Sequence, residues 1–202
     1  MKKTKLLTLI LCCIAAVSLV SCNSKDDLAP TIQPPTAEEV KVAYNSIKGN
    51  YTGKLVYPKT LSSFKSALDT LDTSWKISND SVLVIKNFPT KVLASNITEP
   101  NLKEALEKAP AQDLDCRFGF YTVNPLVFLI NPKTQKYTLN YDDKTHEVLV
   151  VFYVNSLNSY GNFAKEKKLQ MQIAEGGIYV DGTLRHVLNQ PIPILLKEET
   201  KS

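Results

Sequence analysis

The chain is poor in the residues that carry most enzyme chemistry. Its 202 residues include two histidines, His146 and His186, and four cysteines, Cys12, Cys13, Cys22 and Cys116. Three of the cysteines lie within the first 22 positions, so Cys116 stands alone in the remainder and no disulfide within the folded part is expected. Phosphate-binding glycine loops, nucleophile elbows and paired metal-ligand spacings are all missing. An excess of one charge is missing too. The 24 basic residues face 20 acidic ones, and without Lys2, Lys3 and Lys5 the balance is 21 against 20, which leaves no basic stripe for nucleic acid. No apolar run reaches the roughly 20 residues that cross a bilayer as a helix; the longest, Leu6 to Val20, stops short.

That run has its own meaning. Three lysines without an acid, then an uncharged apolar stretch, is the order of a secretory signal. It ends Leu19-Val20-Ser21-Cys22, which resembles the lipobox of bacterial lipoproteins: an apolar residue, a tolerant position, a small residue and the cysteine whose thiolate takes the diacylglycerol. The expectation is that residues 1–21 are an export signal and Cys22 is the lipidated first residue of the mature chain. Several acyl chains at about 0.8 kcal/mol per buried methylene make a firm anchor to the membrane. Residues 22–35 hold three prolines and almost no large apolar side chain, so they read as a tether. Within it, Lys25-Asp26-Asp27 resembles the short charged signal with which Bacteroidetes send lipoproteins to the cell surface. That implies the outer membrane, with surface exposure favoured over the periplasmic face.

One domain is expected over residues 36–198, with 199–202 as a tail. Thr36-Ala37-Glu38-Glu39 reads as a capping box, and Val40, Ala43, Tyr44 and Ile47 follow at helical spacing up to Gly49. Strand signals come next: Tyr51 to Tyr57, then Leu71 to Ser78 and Ser81 to Phe88 flanking the turn dipeptide Asn79-Asp80. Pro89 to Ile97 is ambiguous. Asn101 to Ala109 reads as a helix capped by Asn101 and ended by Pro110. From Asp113 onward apolar residues recur at period two: Leu114, Cys116, Phe118 and Phe120; Leu126 to Ile130; Tyr137, Leu139 and Tyr141; Leu169, Met171 and Ile173; Ile178 and Val180 before the turn Asp181-Gly182. His146 to Val154 is apolar at both parities and reads as a strand covered on each side.

Nine or ten strands joined by short polar turns argue for an antiparallel sheet, since parallel pairs need long crossovers. So many strands must close or stack. The expected fold is mainly β (α+β), a strongly curved sheet or partly open lipocalin-like barrel with one N-terminal helix and a short helical insertion; the alternative is a two-layer β-sandwich. Gly49-Asn50-Tyr51-Thr52-Gly53-Lys54-Leu55 after a helix resembles the first strand of lipocalin-like barrels. As a whole, the chain resembles a family of short Bacteroidetes lipoproteins that share a domain of unknown function, in Gly49 to Leu55, Phe128-Leu129-Ile130-Asn131-Pro132 and Met171 to Gly182. The resemblance implies a compartment and no activity.

The remaining chemistry is thin. Cys116 lies in register with core residues, where a cysteine acts as a small hydrophobe. His146 and His186 alternate with apolar neighbours. Asp142, Asp143, His146 and Glu147 group donors at one strand mouth but match no ligand spacing, so no metal and no cofactor is expected. Asp113 and Asp115 share a strand face that should meet water. No catalytic residue is assigned. The segment Asn155 to Phe163 mixes amides, serines and isolated rings, a recognition composition, and makes Tyr160, Phe163, Asn158 and Asn162 the candidate ligand contacts. The function expected is a non-enzymatic binding or accessory module at the outer membrane, for a glycan or a protein. A barrel carrying a small apolar ligand and a hydrolase with an unrecognised site are the alternatives.

Overall fold

In the computed structural model the described residues are 34–59, 67–79, 81–163 and 167–202, with the side chains of 186–191 left aside. The segments expected as signal and tether, including Cys22, Lys25, Asp26 and Asp27, lie outside them, as does Asp80 of the first expected hairpin.

The capping box at Thr36 forms as expected. The Thr36 hydroxyl accepts from the Glu39 amide, and the Glu39 carboxylate accepts from the Thr36 amide at 2.8 Å, opening α1, Ala37–Ile47. Ten strands follow: β1 Gly49–Pro58, β2 Leu68–Asn79, β3 Val82–Phe88, β4 Gln112–Val123, β5 Leu126–Pro132, β6 Gln135–Tyr141, β7 Lys144–Phe152, β8 Tyr160–Phe163, β9 Leu169–Val180 and β10 Thr183–Lys201. Between β3 and β4 lie two helices, α2 Thr90–Ala94 and α3 Pro100–Glu107.

Eight strands close a ring in the order β10-β1-β2-β3-β4-β5-β8-β9, with β9 pairing back onto β10, every neighbour antiparallel. The result is a closed up-and-down barrel of the lipocalin-like kind, not a sandwich. Strand β9 is long enough to pair with β8 from Leu169 to Gln172 and with β7 from Glu175 to Val180. The β6–β7 hairpin thus extends the same wall. Its free edge is tied to β4 by side chains: Gln135 Nε2 donates to the Asp113 carbonyl at 3.3 Å and Gln112 Nε2 to the Lys136 carbonyl at 3.2 Å. Helix α3 packs on β6 where β4 has run out, and the Asn101 amide donates to the Asp142 carboxylate there.

Alternation decides what faces inward. Tyr51, Leu55, Trp75, Ile77, Leu83, Ile85, Leu114, Phe128, Ile130, Val148, Met171 and Ile194 are all buried in one core. The Tyr51 and Trp75 rings stack at 5.4 Å, and Phe118, Phe120 and Phe128 form a second ring cluster. Large side chains fill the interior. Both ends are covered as well. Helix α1 buries Ala43 and Ile47 at one end, where the Tyr51 hydroxyl donates to the Ile47 carbonyl and Tyr44 to the Ser78 carbonyl. At the other, α2 and α3 bury Val92, Leu93, Leu102 and Leu106, and Thr90 Oγ1 joins them by donating to the Ala109 carbonyl at 3.0 Å.

Four sequence expectations change in detail. Strand β10 continues to Lys201, with Thr200 and Lys201 paired to Thr52 and Tyr51, so residues 199–202 are barrel wall and not a tail. Helix α3 is capped by Glu99, with Pro100 at its first turn and Asn101 inside it, because proline's fixed φ suits a position whose amide has no helical partner. The ambiguous Pro89 to Ile97 stretch supplies the short helix α2. Strand β7 ends at Phe152 and is fully covered on one face, by Val148, Val150 and Phe152; Leu149 and Val151 are half-buried on the other.

The β1–β10 register shifts between Thr52 and Gly53, which pair with Thr200 and Glu198, so that Glu199 bulges out of β10 where the ring closes. A Cβ on Gly53 would stand 2.0 Å from the Lys197 carbonyl oxygen, a backbone atom of the neighbouring strand that cannot rotate away. Gly53→Ala should therefore destabilise the protein by about 3 kcal/mol, at the upper end of overpacking. Urea denaturation checks this, and an unchanged midpoint would show that the β1–β10 seam yields freely.

Candidate functional site

The residues predicted as contacts fall in two groups. Residues 153–159 join β7 to β8 and fold onto the wall, and Tyr160 and Phe163 are strand residues, not loop tips. The connection is pinned at both ends. The Asn155 amide donates to Asn131 Oδ1 at 2.7 Å, Asn131 Nδ2 donates to Asn155 Oδ1 at 2.9 Å, and the Ala174 amide donates to the buried Ser159 hydroxyl at 3.1 Å. Val154 and Leu157 are the exposed apolar side chains of this connection, while Phe163 packs against the core.

Strand β8 alternates around Gly161. A Cβ there would meet the Phe128 ring at 2.2 Å, so Gly161 and Phe163 face inward while Tyr160 and Asn162 face outward. Across the ladder Tyr160 pairs with Gln172 and Asn162 with Gln170. Both glutamines face outward too, since they alternate with buried Leu169, Met171 and Ile173. Leu129 and Val127 of β5 flank them on one side and Leu195 and Lys197 of β10 on the other. The structure thus joins Tyr160 and Asn162 to two amides the sequence reading passed over. Asn158 meets them by its backbone, its carbonyl accepting from Gln172 Nε2 at 3.0 Å. Among the described residues this half-buried outer face carries one charge, on Lys197, and no carboxylate.

The donor group at the strand mouth is dispersed. Asp142 is held by Asn101 and Glu147 by Lys136, whereas His146 Nδ1 lies 2.7 Å from Asp181 Oδ2 and its ring stacks on Tyr141 at 4.2 Å. Asp181 also accepts from the Glu147 amide at 3.0 Å. Its carboxyl is held below the usual aspartate range, first by the His146 hydrogen bond and then by that amide. Burial, with nearby acids, raises Tyr141. Among the described residues no three His, Cys, Asp or Glu side chains are grouped as metal ligands. Asp113 and Asp115 lie on the outer face, paired with Lys86 at 2.6 Å and Lys133 at 3.1 Å. Cys116 is buried, and burial pushes its thiol up, so little thiolate exists.

One chemically unusual residue was missed. Glu175 is 1 % exposed, and its Oε2 has no hydrogen-bond partner among the described residues. Its position on the buried parity of Met171, Ile173 and Glu175 was the available signal.

A closed antiparallel barrel with a filled interior and helix-covered ends defines the structural class of this chain. Residues 46–180, about two thirds of the chain, match the model of a family described as a domain of unknown function, DUF4840, and the chain belongs to that family. No curated protein and no solved structure matched it.

Asp181 gives a test of the strand-mouth cluster. A carboxyl depressed in the folded state adds stability that is present above its unfolded value, near 3.8, and is lost as pH falls through the folded value. His146→Phe keeps the stack on Tyr141 but removes the hydrogen bond. Carbon-13 titration should show the Asp181 midpoint rising toward 3.8 in the variant, with a smaller loss of stability between pH 5 and 3 than in the parent; equal midpoints would refute the coupling.

Proposed function

We propose that this protein is a lipid-anchored component of the Bacteroidetes cell envelope, a non-enzymatic binding module that meets its ligand on the outer face of β8 and β9. The observation that carries the reading is the row of Tyr160, Asn162, Gln170 and Gln172, side by side on one wall with no carboxylate among them. Amides both donate and accept, and a tyrosine ring offers flat apolar area, so the surface suits a neutral polyhydroxylated partner such as a glycan chain. The outer wall of a closed barrel curves outward, which suits an extended chain better than a small molecule. The apolar-carrier alternative has less support, because Trp75, Tyr51, Tyr57, Phe88 and Phe128 occupy the interior.

The envelope part of the reading rests on the lysine-rich start, the apolar run and Leu19-Val20-Ser21-Cys22. No helix among the described residues is long and apolar enough to cross a membrane. On intact cells, external protease should cleave the lipoprotein, and replacing Lys25, Asp26 and Asp27 together by alanine should protect it. Protection of both forms would place the protein on the periplasmic face.

The binding part is tested with the full chain on immobilised neutral polysaccharides. Tyr160→Ala and Gln172→Ala should each weaken retention at least tenfold while the variants still fold and melt cooperatively. Absence of retention by the parent across a panel of neutral glycans, or retention indifferent to both changes, would overturn the assignment.

A further inference from the structure

We propose that Glu175 is a proton-controlled latch in the barrel wall: neutral, it keeps β9 closed against β10, and loss of its proton opens that seam locally around Gly176. Glu175 is opposite Phe152 on β7 and Ile192 on β10, so apolar residues face it across both ladders. Both ladders slip at this point. On the β7 side the register jumps from Val151–Gly177 to Phe152–Glu175, and on the β10 side from Val187–Gly177 to Ile192–Glu175, which leaves 188–191 of β10 outside the pairing.

Pro191 and Pro193 flank Ile192, and neither has an amide proton to give to a ladder. The barrel is therefore least tightly laced beside its buried acid. Separating a few residues here breaks fewer hydrogen bonds than separating any regular stretch of β1–β2, where ten consecutive pairs run without a slip.

Among the described side chains an ionised carboxylate in this position finds neither counter-charge nor donor. Lys144, His146 and Glu147 on β7, Tyr160 on β8, and Arg185, Lys197 and Glu198 on β10 exert no resolved effect on it, and burial alone pushes its carboxyl up to about 8. A buried charge without partners is hydrated or neutralised in preference to being kept dry. The sign follows. A folded value raised above the unfolded 4.5 gives stability that is complete below 4.5 and is lost as pH rises through about 8. Opening is thus favoured on the alkaline side, and the bulged seam is where water enters with least disruption.

Amide hydrogen exchange on the full chain, corrected for the intrinsic base-catalysed rate, tests the latch. Protection of segment 173–180 should fall roughly tenfold per pH unit between about pH 6 and 8 and then level off, one proton being released on opening. The β1–β2 amides, which need a larger opening that also frees Glu175, should stay better protected than segment 173–180 at every pH, and Glu175→Gln should make segment 173–180 insensitive to pH. A flat parent, an equal fall in the variant, or protection of segment 173–180 equal to that of β1–β2 would each overturn the proposal. If Glu175→Gln does not fold, carbon-13 titration of the parent decides: a Glu175 midpoint well above 4.5 sustains the latch, and an ordinary midpoint removes it.

Discussion

Closure of the ring through β10 is the constraint on which the rest depends. With Cys116 unpaired, nothing covalent holds the barrel, and a sheet of this many strands left open would expose two edges of unpaired amides and carbonyls. Strand β10 removes the edges of β1 and β9 by pairing with both, and the edge left at β6 is the one that Gln112 and Gln135 tie to β4. The length of β10 follows from that double duty: 19 residues, from Thr183 to Lys201, are needed to serve two partners displaced along the barrel axis. Gly53 sits where the β1 register shifts to meet it, and only a residue without a Cβ lets the Lys197 carbonyl come so close. Lys201 then reaches past the rim to donate to the Ser46 carbonyl of α1 at 2.7 Å, so the closing strand also fastens the helix over that end.

Closure sets which chemistry is available. A barrel of eight strands is just wide enough for side chains to fill it, and here stacked Tyr51 and Trp75 and the Phe118–Phe120–Phe128 group do so. Buried tyrosines reflect that dryness: burial pushes Tyr137 up to about 12. In such a medium Glu175 contradicts its surroundings, for every other strand position of its parity on β9 before the bulge, Leu169, Met171 and Ile173, is apolar. A glutamine or leucine would serve packing at least as well, since burying an acid without a partner costs stability. Retaining the acid beside a double register slip and two prolines concentrates instability in one place on the wall.

Much of the fold was legible because its signals are local. The Thr36 capping box, the helical spacing of Ala43 and Ile47, the alternation from Leu114 to Phe120 and the turn at Asp181-Gly182 each follow from a few adjacent residues, and each reappears in the structure. What escaped depends on partners distant in sequence. Nothing near Thr200 reveals that Thr52 awaits it 148 residues away with a hydroxyl contact of 2.6 Å. Likewise Tyr160 and Asn162 invited attention by composition, yet their companions Gln170 and Gln172 are identified only once β8 is laid against β9. Glu175 escaped for a different reason. Gly176-Gly177 breaks the apolar alternation in the sequence, whereas the chain accommodates it as a bulge, and the acid before it stays on the buried face.

The same geometry argues about where recognition is placed. A filled interior and two helix-covered ends leave the outer wall and the rims as the surfaces a partner meets. Over much of that wall charged side chains satisfy one another: Lys54 with Asp72, Lys86 with Asp113, Lys133 with Asp115, Lys136 with Glu147. Exposed pairs of this kind add little stability and keep the surface well hydrated. The β8–β9 face departs from that pattern, replacing ion pairs with amides and a ring, and its backing is unusually firm. The Phe128 ring fills the space over Gly161 from within, while the Asn131–Asn155 pair and the Ser159 hydroxyl fix the connection leading into β8. Amides held on a wall that cannot shift lose little freedom when they bind, which is the condition under which weak neutral contacts sum to useful affinity.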